Sequence, residues 1–196
     1  MIRLFQTLCK STLEHLSDEA VFQASSNGFS HYSERCPDCG AVGKLTTHGY
    51  YSRFLVSHDG KQGKESIIMP LRFECTSCGV SHALLPGNLL PYSPYSLRFK
   101  LTVLIAYFER KMPVAAICAH FGIAISTLYS WKQRLLEHKG LLLGALISRE
   151  TPALDFLRDL FASVRLWDQL EGFFSHFGFS FLQNRPGEPA TKSNPP

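Results

Sequence analysis

Two short cysteine knuckles, Cys36-Pro37-Asp38-Cys39-Gly40 and Cys75-Thr76-Ser77-Cys78-Gly79, constrain this chain more than any other feature. Two C-x2-C pairs supply the four thiolates of a tetrahedral zinc site, two from each tight turn. The glycine after each second sulfur suits a positive φ, which turns backbone N–H groups toward the thiolates. Two disulfides would require an oxidising compartment, and a redox dithiol needs one such pair beside a βαβ pattern. Here there are two pairs and no such pattern, so the expected cofactor is one structural Zn2+ held by Cys36, Cys39, Cys75 and Cys78. Four protein ligands leave no open position for Lewis-acid chemistry. His48, His58 and His82 lie near enough in sequence to replace a cysteine, but ordinary surface or packing histidines are expected. Cys9 and Cys118 fall outside the knuckles and read as buried or idle thiols.

The chain of 196 residues accommodates one ordinary domain or two small ones. A ribbon of about 60 residues buries too little apolar surface to hold itself together, and a metal commonly supplies the deficit. The balance of 20 Lys+Arg against 16 Asp+Glu is mildly basic, which permits a polyanionic partner without demanding one. No apolar run reaches the roughly 18 residues of a membrane span, and the first residues show no signal-peptide pattern. The expectation is a cytoplasmic protein with reduced thiols, no membrane partner and no small-molecule substrate.

The expected fold class is α+β: a small zinc-ribbon β-hairpin module, then an all-α helix-turn-helix module and C-terminal helices. Residues 1–30 form an N-terminal arm with a short helix over Ser11–Ala20 and a turn at Ser25-Ser26-Asn27-Gly28. Residues 31–80 form the ribbon, in which Gly49–Val56 and Ser66–Glu74 are rich in aromatic and β-branched types and pair as a hairpin. Arg53, Lys61, Lys64 and Arg72 are its candidate phosphate contacts, against the plainer reading of a solvated face. Residues 81–96 are Pro-rich and read as an ordered connector, neither strand centre nor helix. Residues 97–140 show three helical stretches. Val114, Ile117, Cys118 and Phe121 share one face, Gly122 stops that helix, and Ser126 is a natural N-cap for the next.

A helix of about eight residues, a glycine turn and a second helix describe a helix-turn-helix. In the second helix Ile125, Leu128, Trp131 and Leu135 recur at core spacing. Thr127, Tyr129, Ser130, Gln133 and Arg134 are left outward, with Ser126 and Lys132 beside them. Such a set can read base edges and clamp phosphates in a major groove, although any amphipathic surface helix carries similar residues.

The order of Cys36–Gly40, His48–Arg53, Arg72–Gly79 and the helix-turn-helix ending Ser126–Trp131 resembles the front end of bacterial insertion-sequence transposases. It is similar in particular to an uncharacterised transposase-related family that lacks the catalytic domain and carries Ser81-His82-Ala83-Leu84-Leu85-Pro86 with Pro91-Tyr92. The resemblance covers roughly residues 34–140, and its specific part is the pair of knuckles. It implies binding to the terminal inverted repeats of a mobile element.

A strand-transferring enzyme needs carboxylates clamping two metal ions on a large α/β domain. Residues 141–183 read instead as aromatic-rich helices. Their carboxylates include Asp155, Asp159, Asp168 and Glu171; Asp155 and Asp159 read as solvated charges on an amphipathic helix that buries Leu154, Leu157, Phe161 and Val164. Residues 184–196 form a tail too polar to bury a core. The expectation is therefore a non-enzymatic protein that binds double-stranded DNA, with a homodimer or a separate transposase subunit as further partners. A transcriptional regulator unconnected with transposition, a truncated transposase, and a docking module for a separate catalytic subunit are the alternatives.

Overall fold

The computed structural model describes residues 1–4, 17–27, 29–58, 63–163 and 166–184. Its architecture is α+β, with the strands gathered in the first half of the chain and most helices in the second. Strand β1 (Ile2–Leu4) is followed by helix α1 (Asp18–Asn27) and by β2 (Leu45–Tyr50), β3 (Arg53–His58), β4 (Gly63–Ile68), β5 (Leu71–Cys75) and β6 (Ser81–Pro86). These form a four-stranded sheet in the order β1-β6-β5-β2 and a two-stranded sheet, β3-β4.

The single hairpin expected between the knuckles is thus two ladders in succession. β2 pairs antiparallel with β5, the chain breaks at Tyr51-Ser52 and Met69-Pro70, and β3 then pairs with β4. Pro70 explains the break, since it has no N–H to give a ladder. Its carbonyl instead accepts from the Tyr51 N–H at 3.2 Å. A register shift between Thr47 and Gly49, with Gly49 at φ +107°, sets the twist just before this point.

Two expectations about irregular chain fail here. Ser81–Pro86 is a strand, placed between β5 and β1 and hydrogen-bonded to both. Its one proline sits at the strand's end, and the prolines that suggested a connector follow it. The turn expected at Ser25–Gly28 is helical through Asn27, because Val21, Phe22 and Ser25 bury one face and the Ser17 hydroxyl caps the Ala20 N–H at 3.1 Å. Of the helix expected over Ser11–Ala20, only the last residues fall within α1; Ser11–Leu16 and Cys9 lie outside the described residues.

The segment after β6 is held by two half-buried arginines. Arg3 donates to the carbonyls of Leu89 and, at 3.3 Å, Gly87; Arg53 donates to those of Leu90 and, at 2.7 Å, Ser93. Burial holds both guanidinium groups below their usual range, Arg3 to about 9. Ser96 then caps the helix that starts at Leu97, its hydroxyl accepting from the Phe99 N–H at 3.1 Å.

Helix α2 (Leu97–Glu109) leads to α3 (Val114–Phe121), α4 (Ile125–Leu143), α5 (Ala145–Glu150), α6 (Ala153–Ala162) and α7 (Leu166–Phe177). Leu101, Leu104, Ile117, Leu128, Trp131, Leu135, Leu157 and Phe173 build one core across them. Val56, Leu90 and Tyr95 join that core from the strand half. Phe156, Phe173 and Phe181 are buried in it, so much of the C-terminal aromatic content completes the core. On α6 the buried residues are Phe156, Leu157 and Leu160; Phe161 of the expected stripe is exposed, and Val164 lies outside the described residues. No single helix among the described residues is long and apolar enough to cross a membrane.

Candidate metal centre and helical surface

Each knuckle is a tight turn of the same design. In the first, Gly40 N–H donates to Cys36 O at 3.0 Å and Cys36 N–H to Ala41 O at 2.9 Å. In the second, Gly79 N–H donates to Cys75 O at 2.8 Å and Cys75 N–H to Val80 O at 3.1 Å. Gly40 and Gly79 have φ of +74° and +73°. A Cβ at either would meet nothing within 4 Å, so backbone conformation and not space calls for glycine. The second knuckle is tied to the start of β2, where Thr76 N–H donates to Lys44 O at 2.8 Å.

The four sulfurs lie within 4.8 Å of one another. Cys36 and Cys78 Sγ are 3.8 Å apart, and Cys39 and Cys75 Sγ are 3.7 Å apart. A tetrahedral site with metal–sulfur bonds of about 2.3 Å has sulfur–sulfur edges of about 3.8 Å. A disulfide would need about 2.05 Å. The cysteines can therefore hold a metal ion. Their electrostatics agree: backbone N–H donors from Cys39 and Asp38, with His82, pull the Cys36 thiol down to about 6 against the effect of burial. The Val80 N–H lowers Cys78, but burial and the neighbouring sulfurs outweigh it and push that thiol up to about 12. Four crowded thiolates need a cation to share.

The site is two-sided. Cys36 and Cys75 are buried against Ile2, Leu45, Phe73 and Leu84, whereas Cys39 and Cys78 are exposed. Among the described residues, neither His48 nor His82 belongs to the cluster that could hold an ion. His48 pairs with Glu74 at 2.8 Å, His82 contacts Cys36 from outside the sulfur cluster at 3.3 Å, and the His58 ring is outside the described residues.

Helices α3 and α4 are joined by Gly122, Ile123 and Ala124, and their axes differ by 101°. Gly122 adopts φ +63°, ψ +38°, and its N–H reaches the carbonyls of Ala119 and Cys118, closing α3 as its sequence position predicts. The start of α4 departs from expectation. Ala124 occupies the N-cap position with no side-chain hydrogen bond, so Ser126 is not the cap. Ile125, expected in the core, is 48 % exposed, while Leu128, Trp131 and Leu135 are buried.

The outward set of α4 changes as well. Ser126, Tyr129, Ser130 and Gln133 are exposed and Lys132 is half-buried, its ammonium 5.3 Å from the Tyr107 ring centre and 5.8 Å from that of Tyr129. Thr127 is only 1 % exposed and Arg134 only 5 %, so neither faces a partner. Arg134 Nη1 donates to Gln183 O at 3.0 Å and Asn184 Oδ1 at 2.8 Å. Two more cations are spent in the same way. Lys100 donates to Leu182 O at 3.1 Å, and Lys139 to Ser148 O at 2.6 Å. His138 Nδ1 accepts from the Leu182 N–H at 2.9 Å. Leu182, at φ +59°, is thus held on both sides.

Among the strand cations, Arg53 is committed to internal carbonyls and is no phosphate contact. Lys64 and Arg72 are exposed, Lys64 3.7 Å from Glu19 and Arg72 over the Tyr51 ring at 4.7 Å; Lys61 lies outside the described residues. Sequence reasoning missed the inward role of Arg3, Arg53, Lys100, Arg134 and Lys139. The neighbours of Lys100, Ser96 to Leu104, are mostly apolar, and that was the one available signal.

Residues 36–131, from the first knuckle to the middle of α4, match a family described as a domain of unknown function (DUF6431). No curated protein and no solved structure matches the chain.

Proposed function

We propose that this is a zinc-stabilised DNA-binding protein without catalytic activity, related to transposase front ends, with α3 and α4 as its helix-turn-helix. The observation that carries the reading is the 101° crossing of two helices across a three-residue glycine turn, with the first turns of α4 exposed. Helix-turn-helix pairs cross at about 90–120°, and the N-terminal residues of the second helix meet base edges. Ser126, Tyr129, Ser130 and Gln133 are the reading residues, and Lys132 is the phosphate contact. Zinc is the ion the four thiolates select, since its preferred geometry and bond length match the observed edges. A reducing, cytoplasmic setting keeps those thiols available.

With Arg134 and Lys139 buried, Lys132 is the one lysine or arginine of α4 left toward solvent. One helix so poor in cations binds phosphate weakly. Paired half-sites read by a homodimer supply the missing affinity.

The test is selection of sheared genomic DNA by the zinc-loaded protein at near-physiological salt. A shared motif at the ends of a mobile element supports the transposition reading, and a motif in promoters makes the protein a regulator. No enrichment removes the DNA-reading role of α4. Within an enriched site, Lys132→Ala should lower the salt slope by about one. Arg134→Ala should act through stability alone, leaving sequence preference intact.

A second reading rests on a different observation. Ile125, Tyr129 and Leu136 give the outward face of α4 an apolar stripe, and Leu141, Leu146 and Ile147 are exposed beyond it. That surface suits docking to a separate catalytic subunit, and co-purification of such a subunit without DNA enrichment would favour it.

A further inference from the structure

We infer that His82 is a positioning residue of the metal centre, donating its Nε2–H to the Cys36 thiolate and thereby raising the affinity of the site for zinc. The inference rests on the zinc reading above and adds a group outside the four ligands. His82 is buried, with Nε2 at 3.3 Å from Cys36 Sγ and Nδ1 at 3.1 Å from the Met1 nitrogen. An ammonium or amide nitrogen at Met1 donates, so Nδ1 accepts and the ring hydrogen sits on Nε2, aimed at the sulfur.

The sheet fixes this placement. On β6, Ser81 is exposed and His82 buried, and the β5–β6 register sets His82 opposite Phe73 while the β1–β6 register sets Leu84 opposite Ile2. A slip of one residue would turn the ring away from the cysteines. Phe73, Leu84 and Ile2 form the apolar floor beneath Cys36 and Cys75. Zinc with four thiolates carries a net double negative charge, and on its exposed side water solvates that charge. On the buried side only N–H groups can. Cys36 receives such groups from the backbone of Cys39 and Asp38, and His82 supplies one from its ring.

Outer-shell partners of this kind commonly contribute 10–100-fold to metal affinity. The experiment is a chelator-competition titration of zinc on the full chain and on His82→Leu, His82→Gln and His82→Asn. Gln carries its amide nitrogen near the position of Nε2, and Asn carries its own near Nδ1. The expected result is 10–100-fold weaker binding for His82→Leu and His82→Asn, with His82→Gln within a few-fold of wild type. The cobalt-substituted proteins give an independent readout. The sulfur-to-metal charge-transfer band should move to lower energy in His82→Leu and return in His82→Gln, because a lost N–H donor leaves the thiolate a better electron donor. Equal affinity in all four proteins overturns the inference, as does equal weakening in all three variants, which would make His82 a space-filler. A wild-type chain that takes up no zinc overturns the zinc reading itself, an outcome distinct from either.

Discussion

The strand half and the helical half of this molecule are stabilised by different means. The floor under the cysteines is a cluster of six buried residues, two of which are the cysteines themselves. The helical core draws on twenty-two, among them Val56, Leu90 and Tyr95 from the strand half, which also buries Phe22, Leu55, Ile68, Leu85 and Leu89 on its own. Burial of a large aliphatic or aromatic side chain contributes about 1.5–3 kcal/mol, so the second cluster can order its helices and the first falls short without help. An ion held by the four cysteines would therefore be structural for the first half and incidental for the second.

Chelation breaks the comparison most sharply. Structural zinc supplies about 10–16 kcal/mol of binding free energy to small domains, so its removal should melt the sheet around residues 36–78. The helical far-UV signal should persist, with hydrogen-exchange protection lost in β2, β5 and β6 and kept in α2 and α4. Uniform loss across both halves would show that they fold as one unit. Leu128→Ala probes the other side. Leu128, on α4, is fully buried in the helical core, and the variant should lose about 2–5 kcal/mol in a denaturant titration while retaining zinc.

The helical half also carries an electrostatic liability. Burial lowers the Lys100 ammonium from 10.5 to about 7, with Arg134 adding repulsion. The unfolded chain then binds more protons than the folded one between about pH 7 and 10, so this group makes stability rise with pH across that window. The slope is at most about 1.4 kcal/mol per pH unit. Lys100→Met should flatten the curve there, and an unchanged difference between wild type and variant across the window would remove Lys100 as its source. The smallest effect sharpens a comparison within the metal half. Gly40→Ala and Gly79→Ala should each cost about 1–2 kcal/mol, because both residues are left-handed and neither is crowded. Unequal costs would mean that the knuckles are not equivalent supports.

The cysteine cluster was legible because its spacing is written in the sequence, where the same C-x2-C-G occurs twice. The α3 and α4 helices were legible through their apolar periodicity and Gly122. What sequence hid was the destination of charge. Arg53, Arg134 and Lys139 look like surface residues, yet each donates to backbone carbonyls that no ladder satisfies. A carbonyl awaiting a donor leaves no trace in composition. β1 was hidden for another reason: three residues cannot show a period, and its partner, β6, begins only at Ser81. β6 was disguised by the prolines that follow it.

The pairing of β1 with β6 also has a consequence for synthesis. Ile2 faces Leu84, its parallel partner. At a translation rate of about 5–20 residues per second, the first strand waits roughly 4–16 s before its partner exists. During that interval β2 and β5 can pair and the knuckles can capture their ion. β1 can thus join the sheet only once β6 has been made.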